Sequence, residues 1–329
     1  MKPADFTEMV KKDVAGYYND EYPTLPSMIE SFCETDILDA SEGDYDSATV
    51  VSGLAKPSQI NRGQRSPQDR IKETFTWYLA VRPYRTALSY EEDMKDWPKW
   101  RLQKRLEKDG KEIARIFNDT ENELAADVFN HGALTAGDAD IFSGTPPSKG
   151  QTDPYPKFIY DNKPFFAEAH PLTLDATTTF ANWLTGTDLN YAGLETMELL
   201  IANSNAYNER GQKVKIKPDT IMIPQVLSRT AQQLLESLNE SGKDFGDTNV
   251  FRGAYNLVVN PYLDGTAAAS AAWYMGLAKK GVTFVRQGDI DIQTVWDGLR
   301  REWTIDIMKI FGVVVKNWRY WAASKTPQS

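Results

Sequence analysis

Residues 56–69 read KPSQINRGQRSPQD. No other stretch limits the possible folds so strongly. It is polar, it is broken by Pro57, Gly63 and Pro67, and it carries Lys56, Arg62 and Arg65. Strand-like sequence flanks it. Residues 46–55 read as one strand. Residues 70–84 read as a longer one, with Ile71, Glu73, Phe75, Trp77, Leu79 and Val81 alternating with Thr74, Thr76 and Tyr78. Aromatic and β-branched residues in that pattern favour strands. The result is a long hairpin with a basic tip, and the tip has almost nothing apolar to hold it on its own domain. Connections of this length are usually functional or disordered.

Charge is distributed in blocks. Between Val14 and Ala55 there is no Lys or Arg, and nine acids occur: Asp20, Glu21, Glu30, Glu34, Asp36, Asp39, Glu42, Asp44 and Asp46. From Lys56 to Arg115 the balance reverses, to fifteen bases against nine acids. Two solvated faces would account for this. The sharper reading is an acidic arm and a basic region that meet between subunits, where complementary charge sets register and partner choice. The net charge of −9 over 329 residues excludes a broad basic face that clamps nucleic acid.

Residues 1–45 look like an extended arm, with a short helix only between Phe6 and Tyr18. Beyond it, Tyr22-Pro23 and Leu25-Pro26 break regular structure. Residues 91–130 form the strongest helical region, with Asp96 as its cap and Pro98 in its first turn. Leu102, Leu106, Ile113, Ile116 and Phe117 give it a narrow apolar stripe. Gly110 weakens it, and Thr120 with Glu123 restarts or continues it as a capping box. Residues 132–171 read as irregular. Asn190 caps a helix whose inner face is Leu194, Met197 and Ile201, with Leu189 and Leu194 as a hydrophobic staple. An apolar strand over residues 220–223 then meets Pro224, which opens an amphipathic helix presenting Leu227, Ala231, Leu234, Leu235 and Leu238. Short strands follow near residues 257–259, 273–277, 282–286 and 290–296. Residues 302–323 look like a terminal hairpin broken at Phe311-Gly312 and anchored by Trp303, Trp318 and Trp321. The mixture is α+β.

Catalytic patterns are absent. There is no GxSxG, GxGxxG, P-loop, HExxH or CxxC. One cysteine and two histidines cannot build a structural zinc site, so no metal and no cofactor is expected. Acidic surroundings would raise the Cys33 thiol rather than activate it. His170, beside Glu168 and Pro171, reads as a hydrogen-bonded structural residue, and His131 as a helix-end residue. The Trp-rich C-terminus reads as core. No run of about 18 uncharged apolar residues spans a membrane, and MKPADFTEMVKKD lacks the apolar run of a signal peptide.

The order of the pieces carries a resemblance. After the arm, the hairpin and the long helix come "FFAEAHP", "ANWLTG" and "LNYAGLETMELL". Then follow "GQKVKIKPDTIMIPQVLSRTAQQLLES", "NVFRGAYNLVVNPYLDGTAAASAAWYMGLA" and "VVVKNWRYWAA". In this order, over nearly its whole length, the chain resembles the major capsid proteins of tailed bacteriophages. Its most specific part is residues 211–278. The resemblance implies an HK97-like α+β fold: an N-terminal arm (residues 1–45), an extended loop that overlaps a neighbour (46–85), a peripheral domain with a spine helix (86–215, completed by 302–329) and an axial domain (216–301). It implies a non-enzymatic subunit of an icosahedral head that self-assembles into pentamers and hexamers around double-stranded DNA. Inter-subunit contacts are expected at Lys56, Arg62, Arg65, Arg70, Glu34, Asp36 and Asp39. Expected partners are further copies of the chain, a separate scaffolding protein (because the arm starts almost at Met1), a portal protein, a decoration protein and non-specifically held DNA. The expected location is the virion, and the host cytoplasm during assembly. Some relatives crosslink a loop Lys to an Asn; Lys56 and Asn317 occupy comparable places, with an uncrosslinked shell favoured. The alternatives are an encapsulin-like cargo shell of the same fold and a hydrolase using His170.

Overall fold

The computed structural model describes residues 3–39, 45–51, 56–57, 59–62, 65, 69–71, 73–133, 159–161, 163–172, 178–239, 248–265, 267 and 271–325. The N-terminal arm departs most from expectation. It opens with helix α1 (Pro3–Glu21), longer than the sequence pattern suggested. Phe6, Val10, Val14 and Tyr18 recur every four residues and are all buried. A single 3-10 turn and the short helix α2 (Ile29–Phe32) follow, then strand β1 (Glu34–Leu38). The arm is therefore not an extended segment awaiting another surface. It folds onto its own body. Each buried apolar side chain contributes roughly 1.5–3 kcal/mol, against about 1 kcal/mol at most for a surface ion pair. Apolar burial, not the acidic charge, decides where the arm lies.

The hairpin consists of β2 (Tyr45–Val51) and β3 (Glu73–Ala80), antiparallel, with Tyr45 opposite Ala80. The first strand was expected to reach residue 55, but residues 52–55 lie outside those described. The second was expected to run unbroken from 70 to 84. Instead Val81 separates it from β4 (Arg82–Glu91), which leaves the hairpin and pairs elsewhere. Helix α3 (Lys99–Asn130) is continuous over 32 residues. Pro98, not Asp96, stands at its N-cap, and no side chain caps it. Thr120 does not restart it: its hydroxyl donates to the Ile116 carbonyl inside the helix. Nor is the apolar face of α3 a narrow stripe throughout, because its second half buries Phe117, Glu121, Asn122, Ala125, Ala126, Val128 and Phe129. Most of the irregular stretch after it, residues 134–158, lies outside those described.

Between α3 and the first large sheet elements come the two-residue strands β5 (His170–Pro171), β6 (Thr179–Phe180) and β7 (Trp183–Leu184). Helix α4 (Tyr191–Leu199) follows, and Asn190 caps it as expected: its side-chain oxygen accepts the Gly193 N–H at 2.8 Å. Then come β8 (Thr220–Ile223), α5 (Ser228–Glu236), β9 (Asn256–Val259) and β10 (Trp273–Gly276). The chain finishes with β11 (Val282–Asp297), β12 (Glu302–Val315) and β13 (Trp321–Ser324). Helix α5 ends at Glu236, which leaves Leu238 off the apolar face and exposed.

Two sheets organise the body. One is ordered β1-β11-β12-β4, with β1 parallel to β11 and the rest antiparallel. The two strand segments expected near 282–286 and 290–296 are one strand, interrupted by a bulge between Gln287 and Asp291. Gly288 takes a positive φ of 65° there, which L side chains rarely adopt. The other sheet is ordered β7-β13-β10-β8-β9. Its strand β8 is buried on both faces. Ile221 and Ile223 pack with Leu194, Met197, Leu227, Ala231 and Leu234 of the α4 and α5 region, while Met222 joins the main core. An uninterrupted apolar run is what such a strand requires.

The C-terminus is not a hairpin. Strand β12 runs through Gly312 unbroken, opposite Val285. The chain then crosses by a turn at Trp318–Tyr320, and β13 pairs with β10 in the second sheet. Two segments thereby change sides relative to the expected domain borders. Strand β11, placed in an axial unit ending at residue 301, pairs in the sheet of β4 and β12. Strand β13, expected to complete the peripheral unit, sits in the sheet of β8 and β10.

Gly110 has a packing role. A Cβ there would come within 2.8 Å of the Tyr17 Cβ and 3.1 Å of the Val14 carbonyl, because α1 crosses α3 at this point. Gly110→Ala raises intrinsic helix propensity by about 1 kcal/mol. It is nonetheless expected to lower stability and to loosen α1, seen as faster amide exchange in residues 6–21 with little change in the body. An unchanged or raised denaturation midpoint would refute the crossing.

Candidate assembly interface

The hairpin is anchored at its base. Trp77, Leu79 and Val81 are buried with Leu38, Val285 and Val314, and Phe75 lies against Tyr160 with ring centroids 5.2 Å apart. Further out, polar contacts hold it to the loop after α4. The Lys56 ammonium donates to the Lys213 carbonyl at 2.8 Å, and the Lys56 N–H to the Gln212 side chain at 3.3 Å. Arg210 donates to the Asp69 carboxylate at 2.7 Å and to the Arg70 carbonyl at 2.5 Å. The hairpin is thus more firmly tied to its own chain than its sequence implied. Arg62 and Arg65 lie at the tip and are exposed, as is the Arg70 side chain.

The acids sit elsewhere. Glu34 and Asp36 are exposed on β1, at one edge of the four-stranded sheet, and Asp39 follows directly after it, also exposed. Glu34 accepts a bond from the Thr283 hydroxyl at 3.2 Å, and Asp36 accepts the Ile37 N–H at 2.9 Å. Within one chain, Glu34 and Asp36 thus find partners on β1 and β11, not on the hairpin tip. Asn317, the other half of a possible crosslink, caps the turn into Trp318–Tyr320 by accepting the Arg319 N–H at 3.0 Å.

Sequence reasoning missed the buried polar centre that binds the arm to the body. Glu121 projects from the middle of α3 and is fully buried. One carboxylate oxygen accepts the Tyr22 hydroxyl at 2.6 Å and Arg286 at 2.7 and 3.0 Å. The other lies 2.6 Å from the Lys309 ammonium, which also sits 3.7 Å from the Tyr22 ring centre. Burial pulls the Lys309 pKa down, and burial reinforced by Glu121 pushes that of the Tyr22 phenol up. The pattern signal was faint: a lone Glu at helix spacing from Phe117 and Ala125.

His170 is fully buried and stacked on Trp318 at 4.3 Å. Asn182 donates to the Phe165 carbonyl at 2.8 Å, so its amide oxygen is the group that accepts the Ala167 N–H at 2.9 Å. His170 Nε2 lies 3.0 Å from that oxygen and therefore donates to it. Nδ1 lies 2.6 Å from the Asp161 carboxylate, which is also buried. Both His170 nitrogens are committed and neither meets solvent, which speaks against the hydrolase reading built on this residue. Cys33 is buried, and burial pushes its thiol up. Among the described residues no cluster of three His, Cys, Asp or Glu could hold a metal ion, and no helix is long and apolar enough to cross a membrane.

Two outcomes test this account. Glu121→Gln leaves the buried Lys309 and the half-buried Arg286 against a neutral partner and should cost about 3 kcal/mol or more in denaturant titrations. Lys309→Met should cost clearly less, since Glu121 keeps Arg286 and burial already opposes the ammonium charge; equal losses would remove the asymmetry claimed. The second outcome concerns alkaline pH. Burial raises the phenols of Tyr18, Tyr22, Tyr90, Tyr160, Tyr255 and Tyr274, and pushes Tyr262 up to about 12. Above pH ~10, where free tyrosine ionises, the native state binds more protons than the unfolded state. Stability must then fall as pH rises. Phenolate absorbance should appear together with loss of structure; gradual ionisation of a folded chain would contradict it.

Comparison with known proteins completes the picture. The sequence profile of a phage capsid protein family matches residues 165–324. No curated protein matches the chain at a significant level. Among solved structures, the capsid of an empty GTA particle is 14% identical with a TM-score of 0.50, covering 92% of this chain and 90% of that one. The capsid of the native GTA particle is 12% identical, also at 0.50, covering 92% and 91%. A structure from Microbacterium phage Oxtober96 is 10% identical at a TM-score of 0.49, covering 91% and 90%. At such identities the first two likenesses establish a shared fold. Residues 165–324 thus match a phage capsid protein family, and over 92% of its length the chain shares the fold of the GTA capsids.

Proposed function

We propose that the chain assembles as pentamers and hexamers into an icosahedral phage head that encloses double-stranded DNA. The observation that carries this reading is the hairpin: its base is buried in its own body, while Arg62 and Arg65 at its tip are exposed and far along the chain from any apolar anchor. A neighbour offers the complement. Glu34, Asp36 and Asp39 line the exposed β1 edge of the first sheet. In this arrangement the arm's helix stiffens its own subunit, and only its acidic strand serves the contact. The GTA capsids, computed with C5 symmetry, support five-fold grouping for this fold. The capsid family profile favours a phage head over an encapsulin-like cargo shell.

Each exposed ion pair adds up to about 1 kcal/mol. Contacts that weak can be corrected during growth, and repetition over a shell multiplies them. The same reading assigns residues 46–85 to overlap with a neighbour and residues 216–301 to contacts around the symmetry axes. A covalent crosslink between subunits is not required, because Lys56 and Asn317 both have local partners. Assembly would take place in the host cytoplasm with a scaffolding protein, a portal and, on the finished head, a decoration protein.

Reversing Arg62→Glu and Arg65→Glu together should leave the denaturation midpoint of the unassembled subunit unchanged and stop shell closure, as judged by negative-stain microscopy. Normal particles from this variant would sink the role given to the tip. Nucleic acid extracted from wild-type particles should be duplex DNA; a protein cargo in its place would favour the compartment reading.

A further inference from the structure

We propose that the first half of α3 presents a cationic stripe to the phosphate backbone of the enclosed duplex, and so marks the inner wall of the shell. This rests on the DNA-enclosing role proposed above. Arg101, Lys104, Lys108, Lys111 and Arg115 follow one another at steps of three and four, which places them on one face of the helix. The row is roughly 20 Å long at 1.5 Å per residue. Lys104 and Lys108 are exposed and make no ion pair among the described residues. Lys111 is paired with Glu107, and Arg115 with Glu21 and Glu112, all at exposed or half-exposed sites where such pairs exchange at little cost. Arg101 lies over the Trp97 ring at 3.9 Å.

Three features point to an external polyanion. Over the segment from Lys99 to Arg115 there are seven cations and three acids, in a chain whose net charge is −9. The placement also works against the helix itself. A helix dipole favours acids in the first turn and bases in the last, whereas α3 has neither, and its bases crowd the N-terminal half. Finally, the same face changes character beyond Arg115. There Asn118 donates to the Pro26 carbonyl and Asn122 accepts the Met28 N–H, so the arm covers this face beyond Arg115, whereas in the first half of α3 it crosses the other side of the helix, at Gly110.

Duplex DNA fits the row better than an acidic peptide does. A docking helix needs an apolar groove for its own apolar face, and beside this row the exposed large apolar side chains among the described residues are just Trp100 and Ile116, one at each end. Duplex DNA carries about one charge per 1.7 Å of axis, so a row of this length meets phosphates in any register. Contact without sequence preference follows from that.

The test compares full-length wild type with Lys104→Gln/Lys108→Gln, and with Lys215→Gln/Lys217→Gln as a control that removes the same charge from another exposed site. Binding of a labelled random-sequence duplex is measured across salt concentrations, with a poly-glutamate peptide as competitor. The slope of log affinity against log salt should fall by about 1.8 in the first variant, from about 0.9 per lost contact, and stay near wild type in the control. Equal loss in both variants would reduce the effect to net charge and overturn the stripe, as would stronger competition by the peptide than by unlabelled duplex. Negative-stain images of the same samples separate the two levels. Wild-type shells with an unchanged slope in the first variant defeat the stripe alone, whereas absence of wild-type shells defeats the assembly reading.

Discussion

Everything in this subunit is arranged around the buried end of one long helix. Phe129, near the C-terminus of α3, meets Phe32 from the arm at 5.5 Å, Phe165 at 5.6 Å, Tyr274 from β10 at 5.3 Å and Trp321 from β13 at 5.1 Å. One ring therefore touches four separate parts of the chain. Residues of both sheets and of the arm share one core with this helix. Edge-to-face aromatic pairs of this kind add about 0.5–1.5 kcal/mol each beyond area burial. They also fix orientation, which a shell subunit needs if its outer surfaces are to repeat.

Buried polar groups then select one packing among several apolar ones. Glu121 can be satisfied only when Tyr22, Arg286 and Lys309 converge on it from the arm and from both central strands of the first sheet. Asn182 accepts the Ala167 N–H and donates to the Phe165 carbonyl, and it lies within reach of the Trp318 and Trp321 carbonyls. A mispacked arm or crossover would leave these groups unpaired in a low dielectric, which is costly. Residues that resemble catalytic machinery in isolation are thus bolts in this fold. The same economy leaves long charged side chains on the surface, facing solvent.

Several elements were legible in the sequence. The Asn190 cap, the apolar strand before Pro224 and the buried tryptophans at the C-terminus follow from local rules, because capping, proline geometry and alternation act over a few residues. The arm was misread because Tyr22-Pro23 and Leu25-Pro26 do break regular structure, while the four-residue spacing of Phe6, Val10, Val14 and Tyr18 is short enough to be passed over. Gly110 looked like a weakness because propensity sees only the helix it sits in; its reason lies on α1, about 95 residues earlier. For the interface, charge blocks pointed to Lys56, Arg62, Arg65 and Arg70, yet nothing in them revealed that Arg210 and Lys213 would hold part of the loop in place.

What the chain's own order of residues determined is its set of elements and the division of its charge: an amphipathic start, a basic-tipped hairpin, a long helix, and apolar strands with their turns. These depend on contacts within a few residues. Which strands share a sheet, and where the arm comes to rest, were decided only in three dimensions. Strand β11 could pair with any apolar neighbour by its composition, and β13 is four residues long. Their partners are chosen by which arrangement buries Phe129 and satisfies Glu121 at the same time, a condition set by residues far apart in the chain.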